Sequence, residues 1–121
     1  MPRYIDGFVI PIKKTKLAAY RKIAAKAGRI WKEYGAVAYV ECVGDDLNIP
    51  DMGTTFPKLA QTKAGETVVF SYIVYKSRKQ RDSVNKKVMA DPRLLAMCDP
   101  KKSPFDFKRM AYGGFQVLVD L

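Results

Sequence analysis

Two acidic residues within predicted strands are the first candidates for chemistry in this chain. Asp6 precedes Gly7 in the first strand pattern, and Glu41 lies in the middle of the second. A carboxylate that is held in a strand and shielded from water can act as a general base or anchor a ligand. The structural alternatives are that Asp6 pairs across a dimer with Arg109 or a lysine, and that Glu41 forms a salt bridge at a strand edge or between subunits.

The chain has no histidine, which narrows the chemistry available to it. Ser-His-Asp and Cys-His nucleophiles and histidine-based zinc or haem sites are excluded, and we predict no metal and no cofactor. Cys42 and Cys98 are expected to be reduced thiols, buried or half-buried. Whether the protein catalyses a reaction stays open, and acid–base chemistry would need carboxylates, tyrosines or other shifted groups. The candidate catalytic residues are Asp6, Glu41, Tyr72 and Arg109.

Hydrophobic periodicity predicts the elements that must position these residues, in the order β-α-β-β-α-β. The predicted strands are 4–10, ended by Pro11, then 36–43, 66–75 and 109–121, and the predicted helices are 14–34 and 76–90. Two right-handed crossovers in this order give a ferredoxin-like α+β sandwich, with the antiparallel sheet order 4-1-3-2 and both helices on one face. Residues 1–121 are expected to form a single domain.

The connection between the second and third strands is long and irregular. Residues 44–65 contain Pro50, Gly53 and Pro57, with one short helical turn expected after the capping residue Thr55. A connection of this length is typical of a functional loop or of an arm that reaches a dimer partner.

A sheet covered by helices on one side has an open face, and we assign two aromatic sets to it. The first strand contributes Asp6 and Phe8, and the third contributes Phe70 and Tyr72. Such an apolar patch is too large to leave in water. Stacking of RNA bases is one explanation, because RNA-recognition motifs share this element order. Packing against a second copy of the sheet is the explanation we favour, since it also encloses a partly polar cavity.

Several motifs resemble those of the small bacterial YbaA-like proteins, a family of unknown function. They are Tyr4-Ile5-Asp6-Gly7-Phe8-Val9, Val40-Glu41-Cys42, Val68-Val69-Phe70-Ser71, Ala90-Asp91-Pro92-Arg93, Pro104-Phe105-Asp106 and Lys108-Arg109-Met110-Ala111-Tyr112-Gly113-Gly114-Phe115. The resemblance covers essentially the whole chain. It implies a dimeric α+β barrel, in which two ferredoxin-like subunits join sheet to sheet, and it implies no particular activity.

The positive charge of the chain is concentrated in the two predicted helices. They hold thirteen of the 22 basic residues and only two of the twelve acidic ones, in a chain of net charge +10. Exposed lysines are usually just solvated, but this density predicts weak, salt-dependent binding of polyanions through Lys22, Lys26 and Arg29. With no membrane-spanning run and no export signal at the start, we expect a cytoplasmic protein.

The function predicted from the sequence is a small-molecule binding or catalytic cavity between the sheets of a homodimer. Its expected lining residues are Asp6, Phe8, Glu41, Phe70, Tyr72, Arg109 and Tyr112. Two alternatives remain: a protein that associates with nucleic acid through its basic helices, and a structural dimer whose interface is filled by side chains.

Overall fold

Four antiparallel strands form one sheet in the computed structural model, which describes residues 2–121. The strands are β1 (Tyr4–Lys13), β2 (Ala38–Val43), β3 (Glu66–Tyr75) and β4 (Ala111–Gln116). Their order across the sheet is β2-β3-β1-β4, so the predicted ferredoxin-like topology is confirmed. β3, which is almost entirely β-branched or aromatic, lies in the interior of the sheet, as its composition favours.

Three of the four α-helices pack on one face of the sheet. They are α1 (Leu17–Glu33), α3 (Arg78–Met89) and α4 (Pro92–Met97), while the short α2 (Phe56–Ala60) packs against β1 and β3. Between the sheet and the three helices lies a core that includes Ile73, Tyr75, Val84, Val88 and Leu94. The side chains of Thr55, Ser77 and Asp91 cap α2, α3 and α4 by accepting backbone N–H bonds, which satisfies donors that a helix start leaves free.

Several element boundaries differ from the sequence prediction. β1 continues through Pro11 to Lys13, because β4 begins opposite Val9 and residues 10–13 have no neighbouring strand on that side. β2 begins at Ala38, after Gly35 has ended α1 with a φ of 112° that favours glycine. β4 is confined to Ala111–Gln116, and the residues before it form a 3₁₀ turn over Phe107–Arg109.

The strand register corrects the predicted faces of β1. Asp6 pairs with Ile73, and Gly7 pairs with Tyr72. Residues directly opposite each other in adjacent strands share a face, so Asp6 lies on the same side as the core residue Ile73. Phe8 also packs into the core beneath the helices. The prediction that Asp6 and Phe8 share the open face with Phe70 and Tyr72 is therefore wrong, and only the two β3 residues lie there.

The open face of the sheet is apolar and partly covered by the chain itself. The Phe56 ring of α2 meets the Phe70 ring edge-on at a centroid distance of 6.1 Å, and Tyr72 lies 6.2 Å beyond it. Phe70 is 44% exposed, and Phe115, which pairs with Ile5 in the same layer, is 61% exposed. The 44–65 connection thus packs, through α2, on its own sheet, and an aromatic surface remains uncovered beside it.

Within residues 2–121, no helix is both long and apolar enough to cross a membrane. In the same range, no three His, Cys, Asp or Glu side chains are grouped so that they could hold a metal ion. Cys42 and Cys98 are both free and exposed, which corrects the expectation that they are buried or half-buried.

Candidate small-molecule site

A cavity of about 430 Å³ lies between the helix-facing side of the sheet and the helices α1, α3 and α4. Residues 103–110, which lead into β4, contribute to its wall. Most lining side chains are aromatic or aliphatic, and the polar ones come from the strands, from α1 and α3, and from Ser103. The lining residues with a carboxylate, amide or hydroxyl group are Asp6, Tyr20, Tyr39, Glu41, Ser71, Tyr72, Asn85, Ser103 and Tyr112. Of these, Tyr72 lies on the opposite face of the sheet.

Two rows of residues that run across the sheet form the floor of this cavity. Ser71 lies between Glu41 on β2 and Phe8 on β1, and Phe8 pairs in turn with Tyr112 on β4. In the next row, Ile73 lies between Tyr39 and Asp6. The Phe8 and Tyr112 rings stack with centroids 4.9 Å apart. The two carboxylates thus occupy opposite parts of one floor.

Asp6 is the most unusual group at the site because it is a carboxylate that is only 1% exposed. Asn85 Nδ2 donates a hydrogen bond to its Oδ2 atom at 3.2 Å. Its Oδ1 atom lies 3.7 Å from Arg81 Nε, which is too far for a hydrogen bond, and accepts none from any group in residues 2–121. Buried polar atoms are nearly always hydrogen-bonded, so this oxygen is an exception, and it belongs to a residue of the cavity lining.

Asn85 is held in place by groups that fix the orientation of its amide. Its Oδ1 atom accepts hydrogen bonds from Tyr75 Oη and from Trp31 Nε1, both at 3.1 Å. The amide NH₂ group is therefore directed to Asp6. Burial, followed by the negative charge of Asp6, raises the pKa of Tyr75 above its ordinary value, which keeps this hydroxyl protonated as a donor.

Arg81 supports Asp6 from outside the cavity lining. Its guanidinium lies 4.8 Å from the centroid of the Tyr4 ring and donates to Tyr4 Oη at 3.1 Å and to Tyr112 Oη at 3.4 Å. The Nε atom of the same guanidinium lies 3.3 Å from Oδ1 of the exposed Asp82 and 3.7 Å from Oδ1 of Asp6. Burial and the charge of Asp6 raise the pKa of Tyr112.

The sequence analysis missed Arg81 and Asn85, although a signal for them was present. Residues 81, 84, 85 and 88 lie on one face of a helix, since their spacings are three and four. Val84 and Val88 of this face are buried in the core. Two polar residues within a short buried stripe indicate that this stripe packs against something polar, which here is Asp6.

Glu41 lies at the other part of the floor and is bound by two tyrosines. Tyr20 Oη donates to its Oε1 atom and Tyr39 Oη to its Oε2 atom, both at 2.8 Å. Burial, with the charge of Glu41 as a second cause, raises the pKa of both tyrosines. The Tyr39 ring can approach α1 because residue 28 is glycine: a Cβ atom at Gly28 would lie 2.6 Å from a Tyr39 ring carbon.

The predicted site residues thus separate into groups. Asp6, Phe8, Glu41 and Tyr112 come together, but in a cavity beneath the helices of one subunit and not between two sheets. Phe70 lies on the opposite face of the sheet, and its partner there is Tyr72.

Arg109 belongs to neither group. Its guanidinium binds Glu66 at 2.7 Å through two nitrogens and the Gln61 carbonyl at 3.0 Å. The pairing of Asp6 with Arg109 or a lysine across a dimer stays a prediction; within the chain, Arg109 binds Glu66, and the cation near Asp6 is Arg81.

The predicted polyanion-binding residues lie on α1. Lys22, Lys26 and Arg29 follow each other at spacings of four and three, and all are exposed. In the part of the chain that the structure describes, none of the three forms an ion pair within 4 Å.

Two solved structures illustrate the likeness of the fold. A NIPSNAP family protein from Agrobacterium tumefaciens aligns with a TM-score of 0.59 at 16% identity, over 96% of this chain and 88% of that one. A dimeric ferredoxin-like protein from an uncultured marine organism aligns over the whole of both chains, with a TM-score of 0.58 at 9% identity. At such identities the likeness shows the fold alone, and it agrees with the ferredoxin-like topology described above.

Sequence comparison gives a closer relationship. The uncharacterized protein YbaA of Escherichia coli K12 is 44% identical over 119 residues, which is 98% of each chain, and that of Shigella flexneri matches equally well. The family model described as "Protein of unknown function (DUF1428)" matches residues 3–107. The chain therefore belongs to the DUF1428 family, together with the YbaA proteins that it resembles.

Proposed function

We propose that the protein binds a small molecule in the cavity beneath its helices and that Asp6 anchors the ligand. The observation that carries this proposal is a buried carboxylate oxygen, Asp6 Oδ1, which accepts no hydrogen bond from residues 2–121 and belongs to a side chain of the cavity lining. An unsatisfied buried acceptor is costly, so a ligand group that donates to it gains the free energy of a charge-assisted hydrogen bond. The apolar walls suit a ligand with an aromatic or aliphatic body.

A hydrogen bond from a ligand to Asp6 would also suit acid–base chemistry. A donor that is bound to Asp6 Oδ1 lies within the distance over which a general base accepts a proton. Ser71 and Tyr112, whose side chains carry hydroxyl groups, also line the cavity and could orient a ligand. Binding is the first property to test, because every catalytic hypothesis for this site depends on it.

A ligand screen can be read out through Trp31, the only tryptophan in the chain and a residue of the cavity wall. Compounds with one hydrogen-bond donor on a small apolar body should change its fluorescence and raise the melting temperature. Absence of binding across such a screen would favour the alternative of a structural protein whose interior cavity has no ligand.

The variant Asp6→Asn tests the anchor. Asn85 Nδ2 would retain the amide oxygen of the new side chain, so an NH₂ group would replace Oδ1 and turn the free acceptor into a donor. We expect ligands found in the screen to bind about tenfold to a hundredfold more weakly. Asp82→Asn is the matched control, because Asp82 contacts the same Arg81 but is 60% exposed and does not border the cavity. Equal loss of affinity in both variants would contradict the anchor role.

We also propose that a second copy of the chain covers the aromatic surface on the open face. Phe70 is 44% and Phe115 61% exposed in the single chain, which is costly for a surface of this kind. The ferredoxin-like protein from the uncultured marine organism is described as dimeric, which supports a second copy of the chain as the partner of this surface. In such a homodimer the two ligand cavities would lie on the outer, helix-covered sides of the joined sheets.

A second candidate function is weak association with polyanions. Its support is the exposed stripe of Lys22, Lys26 and Arg29 on α1, which has no carboxylate partners among the described residues. Binding of labelled duplex DNA should be measurable at low salt and should disappear at physiological salt, since release of counterions drives it.

Charge reversal tests this stripe. A variant in which these three residues are replaced by glutamate should lose DNA binding. The control carries the same change at Lys58, Lys101 and Lys102, which are exposed outside α1 and α3. Binding that is unaffected by salt, or lost equally in both variants, would contradict this candidate function.

A further inference from the structure

The lining of the cavity has a charge opposite to that of the protein. The chain carries 22 basic and twelve acidic residues and a net charge of +10. Yet the described residues that line the cavity include the two carboxylates Asp6 and Glu41 and not one lysine or arginine. A lining with carboxylates and no cationic side chain disfavours anionic ligands and favours cationic ones.

The two carboxylates differ in how their charge is compensated. Asp6 has the guanidinium of Arg81 at 3.7 Å. Glu41 has no basic side chain within 4 Å in residues 2–121, and its two partners, the hydroxyls of Tyr20 and Tyr39, are neutral donors. Hydrogen bonds from neutral groups satisfy its oxygens but leave its net charge unpaired. Since Glu41 is half-buried, a cation from outside the protein would be stabilised beside it.

The surroundings of Glu41 are aromatic. Tyr39 lies 6.0 Å from Trp31, and Tyr20 meets Phe105 edge-on at 5.6 Å, measured between ring centroids. All four rings border the cavity. An organic ammonium group that lies within about 6 Å of such rings is attracted to their faces, and the attraction grows when water is excluded. A carboxylate among several aromatic rings is the combination that recognises alkylated ammonium groups.

We propose that the ligand of this cavity is an organic cation, whose ammonium group binds beside Glu41 among Tyr20, Trp31, Tyr39 and Phe105. This inference rests on the proposed function and names its ligand class. The body of the ligand extends along the floor over Ser71 towards Asp6, which lies two strands away from Glu41, or roughly 10 Å. A hydrogen-bond donor at the far end of the ligand then meets the free Oδ1 atom of Asp6.

Two probes of the same shape but different charge show whether the cavity prefers a cation to a neutral molecule of equal size. Phenyltrimethylammonium carries the positive charge, and tert-butylbenzene is its neutral carbon isostere, while benzoate serves as an anion. Binding is followed by Trp31 fluorescence and by calorimetry at low salt. We expect phenyltrimethylammonium to bind at least about tenfold more tightly than tert-butylbenzene, and benzoate to bind more weakly than both.

The variant Glu41→Gln removes the charge and keeps the size of the side chain. It should abolish the preference for the cation, whereas Glu33→Gln, which makes the same charge change at an exposed residue outside the cavity, should keep it. The comparison of probes in the unmodified protein does not depend on whether Glu41→Gln folds. Equal affinity for the two isosteres would overturn the cation inference and leave the proposed binding cavity standing. Failure of all three probes and of the wider screen would overturn both.

Discussion

Asn85 is the residue on which the polar part of the cavity depends. It is the hydrogen-bond donor to Asp6 and also accepts from Tyr75 and Trp31. The variant Asn85→Leu, similar in volume, would leave a buried carboxylate with no hydrogen bond. It would also remove the acceptor of Tyr75 Oη, while Trp31 Nε1 would keep its hydrogen bond to Tyr75 Oη. We expect it to lower the free energy of unfolding by about 2–4 kcal/mol, measured by urea denaturation near neutral pH.

The double variant Asp6→Leu with Asn85→Leu shows whether the loss comes from the isolated charge. With both partners apolar there is no carboxylate left to desolvate, so the double variant should be more stable than Asn85→Leu alone. Lys86→Leu, the same kind of change at the neighbouring exposed position, should have little effect. If the double variant instead loses as much stability as the single variants Asp6→Leu and Asn85→Leu lose together, Asn85 matters only through its packing, and Asp6 does not depend on it.

At the scale of elements, Glu66 and Arg109 join the start of β3 to the turn before β4. Hydrogen bonds from Arg109, at 2.7 Å, lower the pKa of Glu66 from its ordinary 4.5 to about 2. Because the folded-state pKa lies below the unfolded one, the stabilisation is complete above about pH 4.5 and is lost as the pH falls towards 2. The melting temperature should therefore fall less steeply between pH 5 and about 2 in Glu66→Gln than in the unmodified protein.

Asp45→Asn is the control for this pH dependence. Asp45 is exposed and forms no ion pair within 4 Å in the described part of the chain, so its variant should keep the pH profile of the unmodified protein. Identical profiles for Glu66→Gln and the unmodified protein would mean that the ion pair with Arg109 does not contribute to stability in solution.

The sequence was sufficient for the elements but not for the faces of β1. The helical period of α1 and the β-branched run of β3 placed both elements correctly, as did the capping residue Thr55 for α2. In β1 both alternating sets contain apolar residues, so period 2 alone cannot say which one meets the helices. The decision comes from the register with β3, where Asp6 lies opposite Ile73. Register depends on long-range pairing, which a single sequence does not display.

The cavity was harder to predict from the sequence than the faces of β1, because its lining comes from several elements. Asp6 and Glu41 were both identified as strand carboxylates that could bind a ligand, and they do line one cavity. Their partners come from helices that are distant in sequence: Tyr20 from α1, and Asn85 from α3. Only the packing of these helices on the sheet brings the four side chains together, and no local pattern encodes that packing angle.

At the scale of the whole molecule, the two faces of the sheet have separate roles in our proposals. The helix-covered face holds the cavity with its polar floor, and the opposite face presents Phe70, Tyr72 and Phe115. Because adjacent residues of a strand point to opposite faces, dimer contacts and ligand contacts alternate along β1 and β3. A ligand bound over Ser71 therefore lies directly behind the surface that includes Phe70 and Tyr72.

The variant Phe70→Asp tests the proposed dimer. Phe70 is 44% exposed on the aromatic surface beside Tyr72, and a carboxylate there would be buried without a partner if two sheets met. Light scattering should give twice 13.7 kDa for the unmodified protein and 13.7 kDa for the variant. Leu95→Asp, at a residue of α4 that is 60% exposed, should stay dimeric. A monomeric unmodified protein would contradict the dimer, and would make base stacking of single-stranded RNA on Phe70 and Tyr72 the next hypothesis to test.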